Sequence, residues 1–192
     1  MNGQPPARSS TSTSKSWASS VGLAIGSRTS GPARAIRAGV GWEHVHLAID
    51  DHSSLAHSEI LPDEKRRSCL RFLFNALRFF RNLGIRVERV MTDNGSSFRS
   101  HCYAKALRRL KIKHLRTRPY TPRTNGKAER FVQTSLREWA YARAYSTSEE
   151  RAAELPIWLH RYNWHRPHGS IGSKPPVSRL SLPRDNVSRL HS

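Results

Sequence analysis

A mixed α/β fold, in which helices flank one mixed sheet, is the class this chain predicts, and three observations predict it. Two short alternating runs precede a strongly amphipathic helical stretch, and further strand and helix patterns then alternate. Nearly all of the useful hydrophobic pattern lies after residue 40 of 192. That length suits one modest domain with a single core.

The first 40 residues are rich in Ser, Thr and small side chains and read as an irregular leader. Within them only Val21-Gly22-Leu23-Ala24-Ile25 resembles a strand, and it fills that role poorly. His44–Ile49 and Leu55–Leu61 read as a pair of strands, with Asp50-Asp51-His52-Ser53 as the hairpin turn between them. Glu64–Leu83 repeats apolar residues at Cys69, Leu70, Leu73, Phe74, Leu77 and Phe80, which makes a core-facing helix stopped by Gly84. Arg86–Thr92 alternates polar and apolar residues and ends where Asp93-Asn94-Gly95 turns. Ser97–Leu110 predicts a basic helix with Tyr103, Leu107 and Leu110 inward, and Lys113–Thr117 a short strand. A Pro-rich loop, Arg118-Pro119-Tyr120-Thr121-Pro122-Arg123-Thr124-Asn125-Gly126, leads into a helix. Its inward face is Ala128, Phe131, Val132, Ser135, Leu136, Trp139 and Ala140, with Thr124 or Asn125 as cap. A last helix, Ser148–Trp164, is expected to break near Pro156 and to close at His165-Arg166-Pro167, with Trp158 and Tyr162 as anchors. Residues 169–192 read as a flexible basic tail.

Two acids stand out in this arrangement. Asp93 falls at the carboxyl end of a strand and Glu129 in the first two turns of a helix. Carboxylates so placed can converge on one cation, and magnesium favours a few carboxylates together with water and phosphate oxygens. Two such ions can hold the attacking and leaving oxygens of an in-line displacement at phosphorus. Taken singly, Asp-Asn-Gly is a common turn and a Glu on a basic helix a common salt-bridge partner; their combination is what points to chemistry.

Further motifs accompany them: Gly41-Trp42-Glu43-His44-Val45-His46 leading to Ala48-Ile49-Asp50-Asp51-His52-Ser53, Thr92-Asp93-Asn94-Gly95, Arg116-Thr117-Arg118-Pro119-Tyr120-Thr121-Pro122, Asn125-Gly126-Lys127-Ala128-Glu129-Arg130-Phe131 and Tyr162-Asn163-Trp164-His165-Arg166-Pro167-His168. Together they resemble the DDE transposases and integrases, the catalytic core of bacterial insertion sequences and retroviruses, over residues 41 to about 180. The resemblance implies a ribonuclease-H-like fold, a catalytic core at residues 41–168, and Mg2+ or Mn2+ bound by Asp93 and Glu129 as the second and third acids of a catalytic triad. It implies a multimer on DNA, acting on element ends and target. It also makes Lys127, Arg130 and Arg137 candidates for contact with DNA phosphates. Arg116, Arg118 and Tyr120 join them, because their loop runs directly into the Glu129 helix.

The chain departs from the family's pattern at the first acid. Related transposases carry an Asp in a strand reading roughly His-x-Asp-x-Lys-Lys-Leu-Gly, whereas here Ser10-Thr11-Ser12-Thr13-Ser14-Lys15-Ser16-Trp17 occupies that region and no acid precedes Glu43. With third bases free, the codons of Arg8–Trp17 regroup to read E-L-H-I-D-I-K-K-L, and those of Ala18–Arg28 to read G-I-I-R-R-V-G-H-R-V-T. The expectation is a frame-shifted leader, compensated near Gly39-Val40-Gly41, with the first catalytic strand missing or replaced. No helix-turn-helix pattern precedes residue 40, so the chain also reads as truncated relative to members with amino-terminal DNA-recognition domains. Asp50 and Asp51 are the nearest substitutes, but their place in a hairpin turn argues for a structural role.

Charge supports a nucleic-acid partner. Lys and Arg number 33 against 14 acids, a net +19, which favours polyanions and salt-sensitive binding. Cys69 and Cys102 lack metal-type spacing and fit a reducing cytoplasm. His44, His46, His52 and His57 read as residues of a half-exposed face, with no ligand role. No apolar run is long enough to span a bilayer. Two functional readings stand. One is an insertion-sequence transposase catalytic core, defective in this chain; the other is a catalytically inactive remnant that binds DNA by charge. A ribonuclease-H-type nuclease or resolvase shares fold and metals, but the motifs at Asn125–Phe131 and Tyr162–His168 argue against it.

Overall fold

The computed structural model describes residues 16–26, 42–117 and 126–180. Five strands, β1 (Ser16–Gly26), β2 (Trp42–Asp50), β3 (Ala56–Leu61), β4 (Val87–Thr92) and β5 (Lys113–Arg116), form one sheet in the order β3-β2-β1-β4-β5. β1 runs antiparallel to β2 and parallel to β4, so the sheet is mixed, as expected. Helices α1 (Arg66–Asn82), α2 (His101–Arg109), α3 (Gly126–Ser135) and α4 (Ser148–Trp164) flank it, and a π-helical turn, Leu136–Ala140, continues α3.

The central strand is the first correction. It is present, formed by eleven residues of the stretch expected to be an irregular leader. The reason lies in the neighbours: β2 and β4 both have backbone groups that need partners, and a central gap would leave them unpaired. β1 therefore pairs with both, Ala18 through Gly26 along β2 and Ser16 through Ser20 along β4.

β2 is covered on both faces, and its side chains divide by parity. Val45, Leu47 and Ile49 pack with Ala128, Phe131, Trp139, Trp158 and Tyr162 of the α3 and α4 side. On the other face, Ala48 packs beside Phe72, Ala76 and Phe80 of α1. His46 points to this second face and is 1% exposed, its Nε2 3.0 Å from the Asp63 carbonyl and its ring 5.4 Å from Phe72. The expectation of a half-exposed histidine face fails there, because a helix covers the strand. His57 is likewise stacked against Phe79, at 4.8 Å.

The inward stripe of α1 is Cys69, Phe72, Leu73, Ala76 and Phe80; Phe74, expected inside, is 49% exposed. On α2, Tyr103 and Leu107 are buried, but Leu110, just past the helix, is 42% exposed. Ser100 caps α2 by accepting from the Tyr103 N–H, which explains why that helix starts at His101 and not at the expected Ser97.

α4 runs through Pro156 without a break. Proline there forfeits one backbone hydrogen bond, while Leu155, Trp158 and Tyr162 stay locked in the core on both sides of it. Two long-range clasps hold α4. Asn163 Nδ2 donates to the Ala56 carbonyl and its Oδ1 accepts from the Ala56 N–H, both at 2.8 Å, so one side chain satisfies the edge of β3. Arg166 grips Glu138 of the π-turn with two prongs, at 2.8 and 3.0 Å. Part of the expected flexible tail is also ordered: Ile171 and Pro176 are buried in short 3-10 turns, and Leu180 packs against the α1 core. Among the described residues no helix is long and apolar enough to cross a membrane.

Candidate active site

The loop after β4 is organised around Asp93. Thr92, 1% exposed, contacts the Nε2 of His114 on β5 at 2.9 Å, and Asn94 donates to the Thr117 carbonyl at 2.9 Å. Between these anchors the Asp93 Oδ1 accepts from the Gly95 N–H at 2.8 Å. A Cβ at Gly95 would lie 2.9 Å from that same oxygen, so any larger residue there would push the carboxylate aside. Asp93 is half-buried and opens on a cleft of about 450 Å³ that His44, Asp63, Glu64 and Cys69 also line. Burial pushes the Cys69 thiol up to about 11, with the nearby acids Glu64, Asp63 and Asp93 adding to the effect, so it stays an unreactive thiol.

Glu129 sits where expected, in the first turn of α3, exposed and with no hydrogen-bond or ion-pair partner among the described residues. A carboxylate there is favoured by the helix amino terminus. Lys127 is engaged within the molecule. Its Nζ pairs with the Asp51 carboxylate at 3.4 Å and also contacts the Asp51 carbonyl, tying the α3 amino terminus to the β2–β3 turn. Arg116 and Arg130 are exposed, and the Arg137 side chain is 75% exposed. Arg118 and Tyr120 lie outside the described residues.

Asp50 belongs to the turn. It is 1% exposed, and its Oδ2 accepts from both the N–H and the hydroxyl of Ser53 at 2.7 and 2.6 Å.

The β1–β4 register ends with Ser20 beside Thr92, the residue before Asp93. No residue from Ser16 to Gly26 is acidic. Asp93 and Glu129 suit a hard cation in kind, but they are two donors, and no group of three or more His, Cys, Asp or Glu able to hold a metal ion occurs among the described residues. The acids that line the cleft with Asp93 are Asp63 and Glu64, and Glu129 is not part of that lining. Sequence reading missed His44, Asp63 and Glu64 beside Asp93, since no local pattern links a strand, a loop and a turn. It also missed the Lys127–Asp51 pair, which joins positions 76 residues apart.

Comparison with known proteins gives a consistent result. The sequence profile of an integrase core domain matches residues 27–122, half of the chain, and a second integrase core domain profile matches residues 110–176. A putative integrase of Spiroplasma virus SpV1-C74 is 24% identical over 151 residues, covering 72% of this chain and 42% of the viral protein. The transposase InsD of insertion element IS2 from Escherichia coli is 32% identical over 91 residues, 47% of this chain and 30% of InsD. The chain thus spans less than half the length of these relatives. Among solved structures, the integrase catalytic core of BIV superposes with a TM-score of 0.59 at 18% identity, over 90% of this chain and 95% of that one. A simian T-cell lymphotropic virus intasome chain gives 0.64 at 19%, over 86% and 55%. The HTLV-2 core, solved with magnesium, gives 0.59 at 15%, over 84% and 95%. These likenesses place the fold among the ribonuclease-H-like integrase cores.

Proposed function

This chain belongs to the integrase core domain family, and on that premise we propose that it is the catalytic core of an insertion-sequence transposase, disabled as written by the loss of its first catalytic acid. The observation that carries the reading is the environment of Asp93. Gly95 holds it at the mouth of a cleft, and the neighbouring central strand offers no second carboxylate at its level.

Asp93 and Glu129 would hold the divalent cation, Mg2+ or Mn2+, and the HTLV-2 core solved with magnesium supports that choice. The bound ion would supply electrostatic stabilisation of the oxygens at the reacting phosphorus. The chain's own residues do the rest. The Asn94 and Gly95 bonds fix the Asp93 carboxylate, and the helix amino terminus favours Glu129 as an anion. Arg116, Arg118, Tyr120, Arg130 and Arg137, with Lys127 once released from Asp51, would track the DNA backbone. The partners are the element's ends and target DNA, engaged by a multimer, in a reaction that nicks one strand and joins its 3′ hydroxyl elsewhere.

Binding and chemistry are separable on this reading. Glu129→Gln leaves salt-dependent binding to duplex DNA unchanged in an anisotropy titration, because most of the affinity comes from a net charge of +19. Collapse of binding in that variant would defeat the separation. A second reading, an inactive DNA-binding remnant, is favoured by the missing acid; metal-dependent nicking by the chain as written would overturn both readings.

A further inference from the structure

His160 and His165 stand at the carboxyl end of α4, away from the Asp93 cleft, and nothing in the proposed chemistry uses them. Their Nε2 atoms are 3.3 Å apart. That is the long end of hydrogen-bond range. It matches two imidazoles sharing one ion: metal–nitrogen bonds of about 2.0–2.1 Å at a tetrahedral angle put the nitrogens about 3.3–3.4 Å apart.

The two rings are held where they are. Trp164 stacks on His160 with centroids 6.0 Å apart and planes 18° from parallel. The backbone around His165 is closed by its own N–H and that of Arg166, both donating to the Arg161 carbonyl, at 3.0 and 2.9 Å. Glu138 anchors Arg166, the residue after His165, from the π-turn and offsets its charge. A 17-residue helix ends here, and the partial negative charge of its last carbonyls favours a cation at this end.

We propose that His160 and His165 form a two-histidine site for a borderline divalent transition-metal ion such as Zn2+ or Ni2+. Imidazole donors select these ions over Mg2+, which takes oxygen ligands, so the site is chemically distinct from the carboxylate cleft. No third His, Cys, Asp or Glu completes it among the described residues. Two coordination positions therefore remain for water or for an anionic group brought by a bound partner.

The test is titration of the full untagged chain with ZnCl2, and separately with NiCl2, by calorimetry. One equivalent binding in the micromolar range is expected. His160→Ala and His165→Ala should each weaken it by more than about tenfold, because either change leaves a single ligand. A control carrying His101→Ala and Cys102→Ser, a pair exposed on α2, should bind like the parent. His160→Ala and His165→Ala are expected to fold normally, checked by circular dichroism, since neither residue is in the buried core. Unchanged affinity in either histidine variant, loss confined to the α2 control, or no binding below millimolar metal would overturn the proposal.

Discussion

Asp93 depends on Gly95 in a way a single substitution exposes. A methyl group at residue 95 would stand 2.9 Å from the carboxylate oxygen and displace it from the backbone N–H. In a protein with the first acid restored, Gly95→Ala is expected to abolish strand cleavage while leaving the melting temperature and DNA affinity near those of the parent. Equal cleavage by both proteins would show that this hydrogen bond does not position the acid. Lys127 gives a complementary prediction. Its partner Asp51 is exposed, so Asp51→Asn should alter stability by less than about 1 kcal/mol. It should also release Lys127 to phosphate, steepening the slope of log affinity against log salt by up to about 0.9. A slope that does not move would mean Lys127 faces no phosphate. The motif residues Thr92, Asp93, Asn94 and Gly95 were legible in the sequence because a strand-ending turn forces them together. Their companions His44 and Glu64 were not, because only the tertiary fold brings those elements to one cleft.

At the scale of elements, α4 is held by side chains that the sequence marks as a motif without revealing their use. Asn163 satisfies both backbone groups of Ala56 across a separation of 107 residues. Asn163→Ala would strand those buried groups and should cost about 2–4 kcal/mol, read as a lower midpoint in urea denaturation; an unchanged midpoint would remove the clasp from the account. Glu138 carries the second clasp. Its partial burial alone would raise its pKa, but the Arg166 guanidinium, with Arg137 adding, holds the carboxyl below its ordinary value of 4.5. A carboxylate lowered in the folded state stabilises fully above that value, and the contribution is lost as pH falls through the folded pKa. Glu138→Gln should therefore narrow the stability difference from the parent as acid is added, as measured by thermal melts across that range. Helix positions were readable from spacing, yet Phe72 and Ala76, not Phe74, face the core. Two overlapping stripes fit the same apolar run, and only the sheet beneath chooses between them. At Pro156, packing on both sides outweighed one lost hydrogen bond, a balance that local sequence does not contain.

For the molecule as a whole, the informative contrast lies at the sheet's centre. The order β3-β2-β1-β4-β5 needs an occupant between β2 and β4, and Ser16–Gly26 meets that need with backbone bonds to both neighbours. Its larger residues, Trp17, Val21, Leu23 and Ile25, alternate only with Ser, Ala and Gly, a weak contrast in polarity, so the architecture was more legible from the other four strands than from this one. Pairing can fill a central position with a stretch that carries no carboxylate, and Ser16–Gly26 is such a stretch. The most direct test is nicking and strand transfer on the element's terminal DNA with Mg2+ or Mn2+, comparing this chain with a version whose leader is restored to the frame reading H-I-D-I-K-K-L. Activity is expected only after restoration, abolished again by Asp93→Asn or Glu129→Gln. Activity in the chain as written would contradict that, and would require another residue to complete the metal site.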